Sequence, residues 1–235
     1  MFKRALCVAL VAGGVSASSQ ASVFFSFADP ATGPEITYTF VDSPGAEANQ
    51  SNESGGTGFV SFSNATLSFI VDGTEEGLGV QTYDATLSMS LFIGQVLPPS
   101  GDILTAPIAG GTISFDLVNS GVSQNILTGV LTGGSLITLG SSGALLSTST
   151  TDGLTLAAGT ALSSFLNGQS LAPIFDIAFT MTNISEPPVI NQFGFLSSFT
   201  ASSAFSGNAE LVPSPGSAAL AGISLSLLLI RRKRS

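Results

Sequence analysis

Apolar and polar residues alternate with a period of two through much of this chain. Ile36, Tyr38 and Phe40 are separated by Thr37 and Thr39; Leu87, Met89 and Leu91 by Ser88 and Ser90; Ile113, Phe115 and Leu117 by Ser114 and Asp116. A longer run sets Phe175, Ile177, Phe179 and Met181 against Asp176, Ala178, Thr180 and Thr182. Successive side chains of a strand point to opposite faces. Each run therefore predicts a half-buried antiparallel strand with an apolar inner face and a hydroxyl-rich outer one. Further strand candidates are Val23 to Phe27, Phe59 to Phe62, Thr66 to Val71, Asn125 to Leu131, Leu136 to Leu139 and Phe193 to Ala201.

The pairs Asp72-Gly73, Gly110-Gly111, Gly133-Gly134, Asp152-Gly153 and Asn167-Gly168 read as turns between these strands. About ten strands with such punctuation predict an all-β fold: an antiparallel β-sandwich or jelly roll of two packed sheets. Its core would be dominated by the seventeen phenylalanines. Asp42 to Gly58 and Gln95 to Gly111, the latter with Pro98, Pro99 and Pro107, are expected as long loops. Ser120 to Ser170 is rich in Ser, Thr, Gly and Leu and reads as irregular strands or a small β-solenoid, although no fixed repeat period is visible.

Composition sharpens this picture. Hydrophobic residues make up 44% of the chain, enough for a real core, while charged residues are only 9%, far below the usual quarter or so. Ser, Thr, Gly and Asn supply the polarity instead, which suits strands and turns. A single domain of this length is ordinary for an all-β chain.

The distribution of charge matters more than its sum. All six basic residues lie at the two ends: Lys3, Arg4, Arg231, Arg232, Lys233 and Arg234. All fifteen acids lie between Asp29 and Glu210, and the chain has no histidine. A body without a cation cannot neutralise phosphates, which excludes nucleic acid as a partner. The same inventory removes most catalytic classes, because a serine nucleophile has no ordinary base and an oxyanion has no cationic partner. Zinc or copper sites built on His and Cys are excluded as well. A carboxylate-pair hydrolase is the least favoured of the remaining readings, since the body has no Trp and only Tyr38 and Tyr83 to stack a sugar. The chain is thus expected not to be an enzyme and to need no cofactor.

The N-terminus has the features of a secretory signal peptide. Lys3 and Arg4 precede the apolar stretch Ala5 to Val15, and Ser19-Gln20-Ala21 offers the small residues a signal peptidase reads, with Val15-Ser16-Ala17 as an alternative cut. Cys7, the one cysteine, lies inside the apolar stretch, so cleavage leaves a body without a thiol or disulfide. These features divide the chain into a signal peptide (1–21), a β domain (22–210) and a tail (211–235).

The tail has three ordered parts: Val212-Pro213-Ser214-Pro215-Gly216, the apolar stretch Ser217 to Ile230, and the basic cluster Arg231, Arg232, Lys233 and Arg234. The apolar stretch is marginal for a membrane span, which needs about twenty residues. The basic cluster would stop transfer and stay on the cytoplasmic side, leaving the body outside. Two prolines hold the preceding backbone extended and accessible.

These residues resemble the PEP-CTERM sorting signal, in its Val-Pro-x-Pro-Gly variant, with Ser214 where the name-giving pattern has glutamate. The resemblance implies processing by an exosortase-type membrane enzyme. It also implies transient anchoring in the inner membrane and then delivery to the cell surface or extracellular matrix.

Within the body, Asp72, Glu75 and Glu76 in the stretch "VDGTEEG" offer hard oxygen ligands, and Gly73 and Gly77 allow a tight path. This makes Ca²⁺ the one metal the sequence suggests, against the alternative of a solvated acidic turn. The readings that follow are an exported structural or interaction protein first, and second a calcium-supported module that holds extracellular polysaccharide.

Overall fold

The computed structural model describes residues 22–27, 35–42, 56–62, 66–118, 124–148 and 153–212. Twelve strands account for most of them: β1 Ser22–Phe27, β2 Ile36–Asp42, β3 Gly56–Phe62, β4 Thr66–Gly73, β5 Gly79–Ile93, β6 Ile103–Leu117, β7 Asn125–Leu131, β8 Ser135–Leu139, β9 Ser142–Thr148, β10 Leu154–Ala158, β11 Ser170–Thr182 and β12 Phe199–Val212. A 3₁₀ turn at Thr74–Glu76 joins β4 to β5, and one short helix, α1 Thr160–Phe165, joins β10 to β11. The all-β expectation holds.

All twelve strands belong to one antiparallel sheet. Register shows how they share it. β1 and β2 run one after the other along β12, from Ser22↔Glu210 to Phe27↔Phe205 and then from Ile36↔Ala201 to Tyr38↔Phe199. β3 and β4 follow each other along β5 in the same way, and β7 and β8 along β6. β9 lies beside β8 and β10 beside β7. Each interrupted pair therefore occupies one position in an up-and-down meander.

The meander closes because β12 pairs with β11 along one edge and with β1 and β2 along the other. The result is a closed barrel rather than two separate sheets, which removes exposed sheet edges almost everywhere. One seam is left. Among the described residues β10 has ladder partners on β7 but none on β11, and the β11 register shifts between Leu171 and Phe175, around Pro173. A proline cannot donate to a ladder, so it marks the point where pairing lapses. α1 lies at this seam with Leu162 and Leu166 buried.

The barrel is filled, not hollow. Phe25 and Phe27 of β1, Phe69 of β4, Phe115 of β6, Phe179 of β11 and Phe205 of β12 all point inward and are almost fully buried. Phe115 and Phe205 come from opposite walls, yet their ring centroids are 5.1 Å apart. Phe69 lies 4.3 Å from Phe115, and Phe179 lies 4.9 Å from Phe205. Opposed walls thus pack on each other much as two sheets would, which is the part of the sandwich expectation that survives. Burying each phenylalanine contributes about 2–3 kcal/mol before entropy is counted. Outward positions of the wall, such as Ser88 and Ser90 of β5, Thr112 of β6 and Thr180 of β11, stay exposed.

Several local expectations change. Gly110-Gly111 is not a turn but lies inside β6, where both residues have positive φ (154° and 146°). A side chain at Gly111 would run into the Ser90 backbone, so the two strands approach here because glycine allows it. Gly133-Gly134 interrupts a strand line and does not reverse it. The expected loop at Gln95 to Gly111 shrinks to 94–102, since β6 already begins at Ile103. The described residues of Ser120 to Ser170, 124–148 and 153–170, form antiparallel strands and α1 and not a solenoid. The strand expected at Phe193 to Ala201 begins at Phe199 and runs on to Val212, two residues past the expected domain boundary. Most of the expected loop at Asp42 to Gly58, residues 43–55, lies outside the described residues.

Candidate functional site

The meander gives the barrel two different ends. Ser22 and Glu210 pair at one end, the near end, which also carries the β4–β5 turn and α1. The far end carries the β5–β6, β8–β9 and β11–β12 connections.

The far end is built from two folded connections. β5 and β6 continue past the barrel as a hairpin: Gly94 N–H donates to Pro107 O at 2.8 Å, Leu97 N–H to Thr105 O at 2.7 Å, and Ser100 bridges to Ile103. Its tip is Gly101-Asp102, with Gly101 at φ 64°. Residues 183–198 between β11 and β12 form a second small hairpin. Here Asn191 Oδ1 accepts from the N–H groups of Phe193 and Phe195 at 2.9 and 3.0 Å. An Asn side chain that satisfies backbone donors in this way stabilises a tight turn.

The two connections are tied together, because Val96 N–H donates to Gly194 O and Gln95 Nε2 to Phe193 O. Phe193 and Phe195 pack on Phe40, with centroids 5.5 and 5.1 Å away. Beyond this contact the hairpin tips leave an open cleft of about 460 Å³, lined by Asp102, Leu104, Pro187, Pro188, Val189 and Ile190 together with Gly101 and Gly140. Exposed aliphatic side chains gather around it: Val189 is 62% exposed, Leu139 52% and Leu97 50%, with Ile103 and Ile190 close behind.

Sequence reasoning missed this cleft. The available signal was Pro187-Pro188-Val189-Ile190, a run of apolar residues that fits no alternating pattern.

The residues singled out beforehand fall at the near end or outside the described residues. Asp72 ends β4, while Glu75 and Glu76 lie in the following 3₁₀ turn. Asp72 Oδ1 accepts from Thr74 N–H at 2.9 Å, and the hydrogen bonds from Thr74 hold its carboxyl below the ordinary range. Gly77, at φ 71°, closes the turn by donating to Thr74 O, and Leu78 N–H donates to Gly73 O. The turn is thus complete through its own backbone and Asp72. Among the described residues no three acidic side chains converge as a metal site.

Val212 is the last residue of β12, partly exposed and paired with Ser170. Ser19, Ala21, Pro213, Ser214, Pro215, Gly216, Arg231, Arg232, Lys233 and Arg234 lie outside the described residues. Among the described residues no helix is long and apolar enough to cross a membrane.

A few polar groups lie within the barrel wall near β12. Glu35 is 1% exposed, and its Oε2 accepts from Ser203 N–H at 3.0 Å. The Tyr38 ring stacks on Phe199 at 5.2 Å. Burial pushes the Tyr38 hydroxyl up to about 12, with the Leu196 backbone opposing in part. Glu35 N–H also donates to Ala201 O, so both residues are tied to β12.

Comparison of the chain with protein-family models, with curated proteins and with solved structures finds no match in any of the three.

Proposed function

We propose that this chain is an exported bacterial protein that acts by structure and contact, without catalysis, at the cell surface or in the extracellular matrix. Its leader is removed by a signal peptidase and its tail is handled by an exosortase-type enzyme. The observation that carries this reading is the order of the tail. Val212-Pro213-Ser214-Pro215-Gly216, the apolar stretch and the basic cluster succeed one another, and the body before them has no cation at all. The pairing Ser22↔Glu210 supports it, because both processing signals then adjoin the same end of the barrel. A tail held in the membrane would keep that near end inward and turn the far end outward.

Mass spectrometry of the protein recovered from outside the cell tests this reading. The mature chain is expected to begin near Ser22 and to lack the segment from about Gly216 onward. An intact Arg231 to Arg234 cluster on the extracellular product would overturn the sorting step.

A further inference from the structure

Five exposed aliphatic side chains, Leu97, Ile103, Leu139, Val189 and Ile190, sit at the far end near the cleft, while Val80, Val130 and Val212 are exposed on other parts of the barrel. Isolated exposed apolar residues are normal, but a contiguous group rimmed by polar surface marks a place where another molecule sits. The cleft is also held open by structure of its own. The tips are fixed by the Ser100–Ile103 and Ile190–Leu196 bridges, and Ser197 N–H donates to Val189 O at 2.8 Å. A surface already ordered loses little entropy when it is covered.

We propose that the far-end cleft is a docking site for a protein segment that carries lysine or arginine beside aliphatic side chains. Two observations select this occupant. The first is charge. Asp102 lies in the cleft wall and Glu186 is exposed one residue before Pro187, and no Lys, Arg or His occurs between residues 5 and 230 to compensate them. A cationic partner is steered in, and a second copy, equally acidic, is repelled. The second is the lining itself. Aliphatic and proline side chains face the cleft, and Asp102 is the one charged side chain among the lining residues. A sugar needs rings to stack on and several polar partners, whereas aliphatic side chains need neither. The outward orientation of this end rests on the proposed membrane tail; the chemistry of the cleft does not.

The test is titration calorimetry on the protein as recovered from export, whether or not its tail has been removed, so that a failure of processing does not count against the cleft. The probe is a twelve-residue acetylated and amidated peptide of alternating leucine and lysine, compared with a leucine–glutamine analogue. Saturable one-to-one binding is expected for the lysine peptide. Asp102→Asn with Glu186→Gln, and separately Val189→Ser with Ile190→Ser, should each weaken it at least tenfold. Glu75→Gln with Glu76→Gln, at the opposite end, should change it less than twofold, with circular dichroism and melting unchanged in every variant. Equal weakening by both acid pairs would reduce the binding to general charge attraction and overturn the proposal. Absence of saturable binding would overturn it too, as would sedimentation showing a dimer that Val189→Ser with Ile190→Ser dissolves, since the occupant would then be a second copy.

Discussion

The barrel body and its far end use the same kinds of side chain to opposite effect. In the body, Leu87, Met89, Leu91, Ile113 and Phe115 are all buried. At the far end, Leu97, Ile103, Leu139, Val189 and Ile190 stand in solvent. Composition does not distinguish the two sets. Geometry does: a strand in a closed barrel has an inside to which every second residue must point, whereas the tips of hairpins that project beyond the barrel have no enclosed face, although Phe195 and Leu196 at the base of one are buried. An apolar residue in the wall therefore contributes to stability, and one at the projecting tip becomes surface. The body holds the far-end hairpins in place, which leaves their tips exposed for the docking proposed above.

Removing a ring from the centre of the body should have the largest effect. Phe205 has rings of Phe27, Phe69, Phe115 and Phe179 around it. Phe205→Ala is expected to cost about 3–5 kcal/mol in urea unfolding. A loss below about 1 kcal/mol would mean that the opposed walls do not meet as described.

An effect of intermediate size comes from Tyr38, inside the wall where the body meets the far end. Its folded-state value of about 12 lies above the ordinary value near 10, so the unfolded chain ionises first as pH rises. The stabilising contribution is complete below pH 10 and disappears as pH approaches 12, a loss of at most roughly 3 kcal/mol. Tyr83 shifts in the same direction through burial. Tyr38→Phe should therefore flatten most of the alkaline fall in stability and leave what Tyr83 contributes. An unchanged alkaline profile in that variant would show that the hydroxyl is hydrated in solution.

The smallest effect is expected at the far end. Val189→Ser with Ile190→Ser should move unfolding free energy by no more than about 0.5 kcal/mol, because both side chains are exposed already. A loss of 2 kcal/mol or more would place them in the body's core and dissolve the contrast between the two regions.

Much of the wall was legible in the sequence. The alternation at Leu87 to Leu91, Ile113 to Leu117 and Phe175 to Met181 marked both the strands and their buried faces, because a period of two leaves no freedom about which residues share a side. The segment from Ser142 to Ala158 was less legible. Its strands are short and mix a few leucines with Gly, Ala, Ser and Thr, whose weak hydrophobic contrast blurs the period. The acidic turn was identified as a turn, but its closure through Asp72, Thr74 and Gly77 depends on backbone geometry that composition does not carry. The cleft was illegible for a further reason. Its lining comes from positions 101, 102, 104, 140 and 187–190, which are distant in sequence and meet only when the barrel is complete.

The sequence by itself determined the all-β class, the inward residues of the clearest strands, the unopposed acidity of the body and the concentration of cations at the two ends. Each follows from local order along the chain: alternation, charge and the succession of small, apolar and basic residues. Closure was decided by tertiary structure alone. Whether β12 would pair with β1 and β2 as well as β11 depends on register summed over the whole meander, and glycines such as Gly111 bend a strand or end it according to the neighbour they lie against. That closure brings Phe115 and Phe205 together in the centre. It also sets both ends of the domain at one mouth of the barrel and the exposed cleft at the other.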